Sequence, residues 1–204
     1  ELYVVGDCMS DVYLTVDIRP CYNEPASIIY KSMKEVIITG GAANVARNLV
    51  TLGNSVTLAG VLGYGEAGED LKNVIHESRI NFISYLDSSR GVIRKIRCLK
   101  SRPMTSHLER IDMEFEPRDT KPIPSEIENA IMNDIEARKP EIIIAPDYAK
   151  GMFNGNLAQR IVQYAKASNC KLFATPKPVN ADKFHGSYMI GLNRSEAEEI
   201  YRMF

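Results

Sequence analysis

The sequence predicts an α/β protein with a mostly parallel sheet covered by helices on both faces, and a second, small sheet beside it. Short continuous apolar runs, such as 56–62 and 141–145, alternate with amphipathic helical segments. This alternation is typical of parallel strands that are buried on both faces. Half-exposed strands at about 12–38 and 92–116 do not fit such a sheet. We therefore expect them to form the second sheet, placed as a lid over a site.

The individual elements follow from apolar periodicity and from stop signals. The first half is predicted to contain strands at 2–6, 56–62 and 80–86, helices at 42–52 and 66–78, and short strands separated by a loop within 12–38. The second half is predicted to contain strands at 111–115, 141–145, 171–175 and 188–192, and helices from 125, over 156–168 and from 193. Ser125 and Glu128 are predicted to form a capping box at the start of the first of these helices.

Composition excludes several classes of function. The chain has 204 residues, 45% hydrophobic and 25% charged, which suits one sizeable globular domain. Its formal net charge is −1, so we expect no long-range attraction to nucleic acid or to an anionic membrane. The sequence has no apolar run of about 20 residues, and we expect no signal peptide. Four irregularly spaced cysteines favour buried free thiols over a disulfide framework, and hence a cytoplasmic protein.

Polar residues follow several of the predicted strands, where ligands of open α/β sheets bind. They are Asp7, Asp11, Asp147, Lys150, Lys177, Asn193 and Glu196. Gly40 and Gly41 precede a helix start, where free amides favour oxygen-rich or anionic groups, although a simple tight turn explains them equally well. Asn193 and Glu196 also have the spacing of a capping box, and Lys95 and Arg97 could be a solvated strand face or could hold a phosphate.

A second glycine segment has the spacing of a dinucleotide-binding loop. Residues 63–68 read Gly-x-Gly-x-x-Gly after a strand and before a helix. The acidic residue expected about 20 positions later is missing from the required context, so a plain strand-to-helix turn is favoured over a nicotinamide-cofactor site.

Five motifs occur in one order along the chain. They are Val4-Val5-Gly6-Asp7-x-Met9-x-Asp11-x-Tyr13, Gly40-Gly41-Ala42-Ala43-Asn44-Val45-Ala46, Asp147-Tyr148-Ala149-Lys150-Gly151, Pro176-Lys177 and Asn193-x-x-Glu196. This order resembles the ribokinase-like (PfkB) carbohydrate kinases over essentially all 204 residues. Lys95-x-Arg97 and Arg110-x-Asp112 make it most similar to the heptose-7-phosphate kinase branch, the kinase half of bifunctional heptose kinase/adenylyltransferases. The resemblance implies a three-layer sandwich, with residues 1–204 forming the N-terminal portion of one domain.

The resemblance also implies roles for individual residues. Asp11, Gly40, Gly41 and Asn44 would contact sugar hydroxyls. Lys95, Arg97 and Arg110 would hold the substrate or its phosphate. Asn193 and Glu196 would organise Mg²⁺ and ATP phosphates through water, with Asp147 and Lys150 in the same nucleotide region, and Lys177 would lie near the transferred phosphoryl group. Such a reaction depends on positioning and on neutralising phosphate charge.

The sequence departs from the family pattern in three places. Thr175 stands where the heptose branch usually has Asp, and Ser106-His107 replaces an expected polar pair. The family's Gly-Ala-Gly-Asp block, which carries the general base, does not occur in these 204 residues. We therefore expect a longer kinase of which this chain alone is inactive; the alternative is a non-catalytic sugar-binding or scaffold protein. Unpaired edges of the lid strands also suggest a homodimer.

Overall fold

A computed structural model describes residues 1–24, 28–101, 107–114 and 121–203. Six of its strands form one sheet in which every neighbouring pair is parallel. They are β1 (Leu2–Val5), β4 (Val56–Leu62), β5 (Asn81–Leu86), β8 (Ile142–Pro146), β9 (Lys171–Thr175) and β10 (Met189–Ile190). Across this large sheet the order is β10-β9-β8-β1-β4-β5. The chain therefore runs from β1 to one edge and returns to build the other side from β8.

Four further strands form a small mixed sheet. They are β2 (Cys8–Pro20), β3 (Ile28–Gly41), β6 (Arg94–Lys100) and β7 (His107–Met113), in the order β3-β2-β6-β7. β2 pairs antiparallel with β3 and parallel with β6, and β7 pairs antiparallel with β6. The predicted second sheet is thus confirmed, although 12–38 contains two long strands rather than several short ones. Residues 25–27, 102–106 and 115–116 of the predicted lid lie outside the described residues.

Helices cover both faces of the large sheet. They are α1 (Ala42–Thr51), α2 (Glu66–Glu77), α3 (Ser125–Arg138) and α4 (Leu157–Ser168), and a 3-10 helix (Pro178–Phe184) and α5 (Arg194–Met203) follow. Alternate residues of β1 belong to different hydrophobic clusters: Tyr3 and Val5 pack with α3 and α4, whereas Val4 packs with α1 and α2. This period of two is what a strand buried on both faces requires, and it confirms the predicted three-layer arrangement.

The predicted capping box at the start of α3 is wrong. The helix begins at Ser125 itself, so Pro124 holds the N-cap position and no side chain caps the first turn. Glu128 is instead buried, and its carboxylate accepts a hydrogen bond from the backbone N–H of Asn156 at 3.1 Å. β10 is also shorter than the predicted strand at 188–192.

The four cysteines are free, with Cys8, Cys98 and Cys170 buried and Cys21 partly exposed. Within the described ranges, none of the helices has the length and apolar character needed to cross a membrane.

Candidate functional site

Two aspartates follow the adjacent parallel strands β1 and β8, where the connections leave in opposite directions across the sheet. Such a switch point is where open α/β sheets bind ligands. The Asp7 carboxylate accepts backbone N–H bonds from Tyr148 at 3.0 Å and from Lys150 and Met152 at 3.1 Å each. Asp7 therefore holds the loop that follows β8.

The protonation of Asp7 is shifted by its surroundings. Burial and the neighbouring Asp147 carboxylate raise the pKa of Asp7 from 3.8 to about 6, and the backbone N–H bonds oppose this rise. The charged form is costly to bury but accepts three amides, so the hydrogen bonds offset only part of the rise in pKa.

Asp147 connects two loops of the site. Its carboxylate is 3% exposed and accepts hydrogen bonds from the backbone N–H of Ala149 at 2.7 Å and of Lys177 at 3.1 Å. Asn180 donates a third bond from its side-chain amide at 3.0 Å. Ala149 has φ 54°, a left-handed conformation that the Asp147 bond helps to hold. These contacts favour a positioning role for Asp147 over the predicted contact with nucleotide or magnesium.

Among the predicted sugar-contacting residues, Asp11 and Gly40 lie against each other on the paired strands β2 and β3, while Gly41 and Asn44 lie at the start of α1. A side chain at Gly40 would collide with the Asp11 carboxylate, since an added Cβ would lie 2.8 Å from Asp11 Oδ2. Gly41 has φ 57° and packs against the Asp7 carbonyl, which accepts the N–H of Ala42 at 2.9 Å. Asn44 lies in the first turn of α1 and accepts a bond from Arg47 at 3.0 Å. The glycines are therefore required by close approach and by positive φ.

Charged side chains form rows across one face of the small sheet. Asp11, Lys95 and Asp112 are register partners on β2, β6 and β7, and Tyr13, Arg97 and Arg110 form the next row. Partners in register share a face of the sheet. Arg97 pairs with Asp11 and lies 5.5 Å from the centre of the Tyr13 ring, while Arg110 makes two bonds to Asp112 at 2.7 and 2.9 Å.

Glu114 links the small sheet to the loop after β8. Its carboxylate lies 2.9 Å from Lys150 Nζ and 3.8 Å from Lys95 Nζ. The resemblance and the motifs did not single out Glu114. The alternation of acidic residues with Ile111 and Met113 places it on the same face as Arg110 and Asp112, so the pattern was available in the sequence.

Lys177, Asn193 and Glu196 form a connected group beyond β9 and β10. Lys177 Nζ contacts Glu196 Oε1 at 2.7 Å. The Glu196 N–H donates to the Asn193 side chain at 2.9 Å, and the Asn193 N–H donates to the Glu196 carboxylate at 3.0 Å. The two residues therefore form the capping box that their spacing allows. Although burial opposes it, the Lys177 and Asn193 bonds lower the pKa of Glu196 below its ordinary value.

Tyr148 follows Asp147 in the loop after β8, and its backbone N–H donates to Asp7 at 3.0 Å. Burial raises the pKa of the Tyr148 hydroxyl; the Lys177 ammonium opposes this rise, and Asp11, Asp7 and Glu196 add to it. A single phenol therefore interacts electrostatically with the predicted sugar side and with the predicted phosphate side of the site. Tyr148 belongs to a motif that was recognised, but no role was predicted for it.

The glycine segment 63–68 packs against its own chain. A side chain at Gly63 would collide with the Arg90 carbonyl, and one at Gly68 would collide with the Gly63 carbonyl. These glycines are needed for close packing between backbones, which supports the plain turn over a dinucleotide site. A cleft beside this turn is lined by residues that include Asp7, Arg90 and Lys150; Asp11 and Asn44 are not among its described lining residues.

The residues near Lys177 fit an indirect magnesium site. Both oxygens of Glu196 already accept bonds, and Asn193 Oδ1 accepts bonds from Ser195 and Glu196. Across the described ranges no three His, Cys, Asp or Glu side chains group closely enough to hold a metal. Mg²⁺ usually keeps several waters and binds substrate phosphates, so outer contacts through water are the fitting arrangement.

Comparison with known proteins agrees with this geometry. Residues 1–91 match the model of the pfkB family carbohydrate kinases. In fold, the chain is similar to the tetrameric inhibited form of phosphofructokinase-2 from Escherichia coli, with a TM-score of 0.73 and 12% identity over 98% of this chain and 64% of that one. It is also similar to a carbohydrate kinase from Agrobacterium tumefaciens, with a TM-score of 0.67 and 17% identity over 98% of this chain and 62% of that one. Residues 1–91 therefore match the pfkB carbohydrate kinases in sequence, and the chain has the fold of these two solved structures.

Its curated relatives include two proteins named bifunctional protein HldE. The one from Aliarcobacter butzleri is 30% identical over 202 residues, which are 98% of this chain and 41% of the relative. The one from Desulfatibacillum aliphaticivorans is 31% identical over 202 residues, which are 98% of this chain and 40% of the relative. The chain thus spans about two fifths of the length of these relatives.

Proposed function

We propose that this chain is the sugar-binding part of an ATP-dependent sugar kinase whose acceptor is a hydroxyl of a heptose 7-phosphate. The observation that carries the proposal is the set of hydrogen bonds that joins the ends of β1, β8 and β9. Asp7 accepts the N–H of Tyr148, and Asp147 accepts the N–H of Lys177, whose ammonium group pairs with Glu196. A phosphoryl transfer needs the acceptor and the donor phosphate on adjoining sides of one site, in line with each other. The similarity to bifunctional HldE proteins supports heptose 7-phosphate as the acceptor.

The residues divide the work between two sides of the site. Asp11 and the backbone at Gly40 and Gly41 would orient the sugar, because a carboxylate accepts bonds from neighbouring hydroxyls. Lys177 would neutralise charge on the transferred phosphoryl group, while Asn193 and Glu196 orient waters of the metal. Mg²⁺ and ATP, when bound, supply the electrophilic phosphoryl group and shield its charge.

Titration calorimetry tests the substrate. Heptose 7-phosphate should bind this chain more tightly than ribose or fructose 6-phosphate. Equal affinity for all three would contradict the heptose assignment.

Substitution of Asp11 tests the site. In the full-length protein encoded by the gene, Asp11→Ala should abolish sugar-dependent ATP turnover, a loss of at least ~100-fold, because positioning contributes several kcal/mol to such reactions. Asp17→Ala is the matched control, since Asp17 lies on the same strand at its exposed end. Unchanged turnover in Asp11→Ala would remove Asp11 from the site.

A non-catalytic sugar-binding or scaffold protein is the second candidate. The two candidates differ in the Gly-Ala-Gly-Asp block that the resemblance implies for a kinase. The intact mass of the cellular protein separates the two. A product of about a hundred further residues that contain this motif supports the kinase. A cellular product of only these 204 residues supports the binding protein.

A further inference from the structure

Lys150 is held rigidly at the junction of the two sheets. Its backbone N–H donates to Asp7 at 3.1 Å, and its carbonyl accepts a bond from Arg90 at 3.0 Å. Its side chain is only 8% exposed and points its ammonium group at Glu114. A buried ammonium needs a negative partner, so this position requires an anion.

Glu114 supplies that anion in a bridging manner. One carboxylate oxygen contacts Lys150 and the other contacts Lys95, at 2.9 and 3.8 Å. Lys95 comes from β6 in the small sheet and Lys150 from the loop after β8 in the large sheet. Two cations from different parts of the fold therefore share one carboxylate, which is 27% exposed.

A phosphate monoester has the chemistry to replace this carboxylate. It carries about −1.5 to −2 charge and three acceptor oxygens, against one charge and two oxygens for Glu. It can bridge both lysines as Glu114 does and gain more electrostatic energy. Arg97 and Arg110 lie one row further along the same face, where they pair with Asp11 and Asp112.

We propose that Lys150 and Lys95 form a seat for the phosphate of a phosphorylated sugar substrate, and that Glu114 occupies this seat until the substrate displaces it. The inference rests on the proposed function for the identity of the ligand, and it adds Lys150 and Glu114 as residues that select a sugar phosphate over a free sugar. Glu114 excludes weaker anions, because a ligand must compete with a carboxylate that is already in place.

Binding of inorganic phosphate to this chain provides the first test. Glu114→Gln removes the competing charge and should tighten phosphate binding by about five-fold, as expected for loss of one partly exposed ion pair. Lys150→Met should weaken phosphate binding by about ten-fold or more. Lys95→Gln should also weaken phosphate binding. Because Lys95 is more exposed than Lys150, this variant does not alter a buried group. Glu35→Gln is the control, because Glu35 pairs with Arg94 on the same small sheet and touches neither lysine.

Equal phosphate affinity in the wild type and in Glu114→Gln would contradict the proposed phosphate seat. Undiminished phosphate binding by Lys95→Gln would contradict it as well.

Larger probes identify the source of the phosphate. Glu114→Gln should tighten binding of fructose 6-phosphate and leave fructose and ADP unchanged. Tighter binding of ADP without an effect on fructose 6-phosphate would overturn the assignment to the substrate. A full-length protein that shows the Glu114 effect but no sugar-dependent ATP turnover would refute the proposed kinase and leave the phosphate seat standing.

Discussion

At the scale of single residues, the buried carboxylate of Asp7 shows how structural and electrostatic demands compete. Burial and the Asp147 carboxylate favour the neutral form of Asp7, whereas its three backbone N–H bonds favour the charged form. Because the first two effects outweigh the third, the pKa of Asp7 is raised. Asp7 stands at the end of β1, and both of its carboxylate oxygens accept backbone N–H bonds. Its neighbour Asp11, only four residues later, lies on the open face of the small sheet beside Gly40.

The pKa of Asp7 predicts a pH dependence of stability. Because the folded pKa is about 6 and the ordinary value 3.8, the native state binds more protons than the unfolded state between these values. The free energy of unfolding should therefore fall as pH rises through this window, by up to about 3 kcal/mol. Guanidinium unfolding of wild type and Asp7→Asn from about pH 4 to 7.5 measures this contribution. A wild-type-minus-variant difference that stays constant with pH would contradict the prediction.

At the scale of helices and strands, local patterns predicted the regular elements well and the polar contacts less well. The apolar run 56–62 and the strand 171–175 have the predicted bounds, because continuous apolar residues bounded by polar ones mark a buried strand. The pairing of β2 with β3 depends on contacts between distant residues, and so the irregular alternation of 12–38 gave no sign of two long strands.

The two predicted capping boxes show the same limit. Asn193 and Glu196 form one, whereas Ser125 and Glu128 do not, although both pairs have the same spacing. Glu128 is instead buried against the start of α4, where it accepts the Asn156 N–H. A tertiary hydrogen bond replaced the local one, and spacing alone cannot reveal which of the two a carboxylate will make.

Substitution of the two cap residues should therefore have unequal effects. Asn193→Ala removes the acceptor of the Glu196 N–H and should cost about 1 kcal/mol in the stability of α5. Ser125→Ala should change the stability of α3 by less than about 0.5 kcal/mol, since Ser125 makes no capping bond. Amide hydrogen exchange in each helix measures both effects. Equal loss of protection in the two variants would refute the distinction.

At the scale of the whole molecule, the switch in strand order brings separate motifs together. Asp7 after β1, Asp147 after β8 and Lys177 after β9 are linked by hydrogen bonds, although 140 residues separate the first two. The rule for open α/β sheets predicted this convergence from the order of strands and helices. It could not predict that Asp7 and Asp147 would serve as supports, because a buried carboxylate and a ligand-binding one look alike in sequence.

Loss of the Asp147 carboxylate should affect the backbone at Lys177, 30 residues further along the chain. Asp147→Ala leaves the N–H groups of Ala149 and Lys177 and the Asn180 amide without their acceptor, and should cost about 3 kcal/mol. Asp87→Ala is the matched control, because Asp87 is an equally buried loop carboxylate that binds Ser89 and Arg90 instead.

Both variants should lower the midpoint of urea unfolding by a similar amount, but only Asp147→Ala should speed hydrogen exchange at the Lys177 amide. The reason is geometric: the Lys177 amide donates to the Asp147 carboxylate, and the side chain of the same lysine reaches Glu196. Faster exchange at Lys177 in both variants would mean that general loss of stability loosens this loop, and the link between β8 and β9 through Asp147 would then not control the position of the lysine.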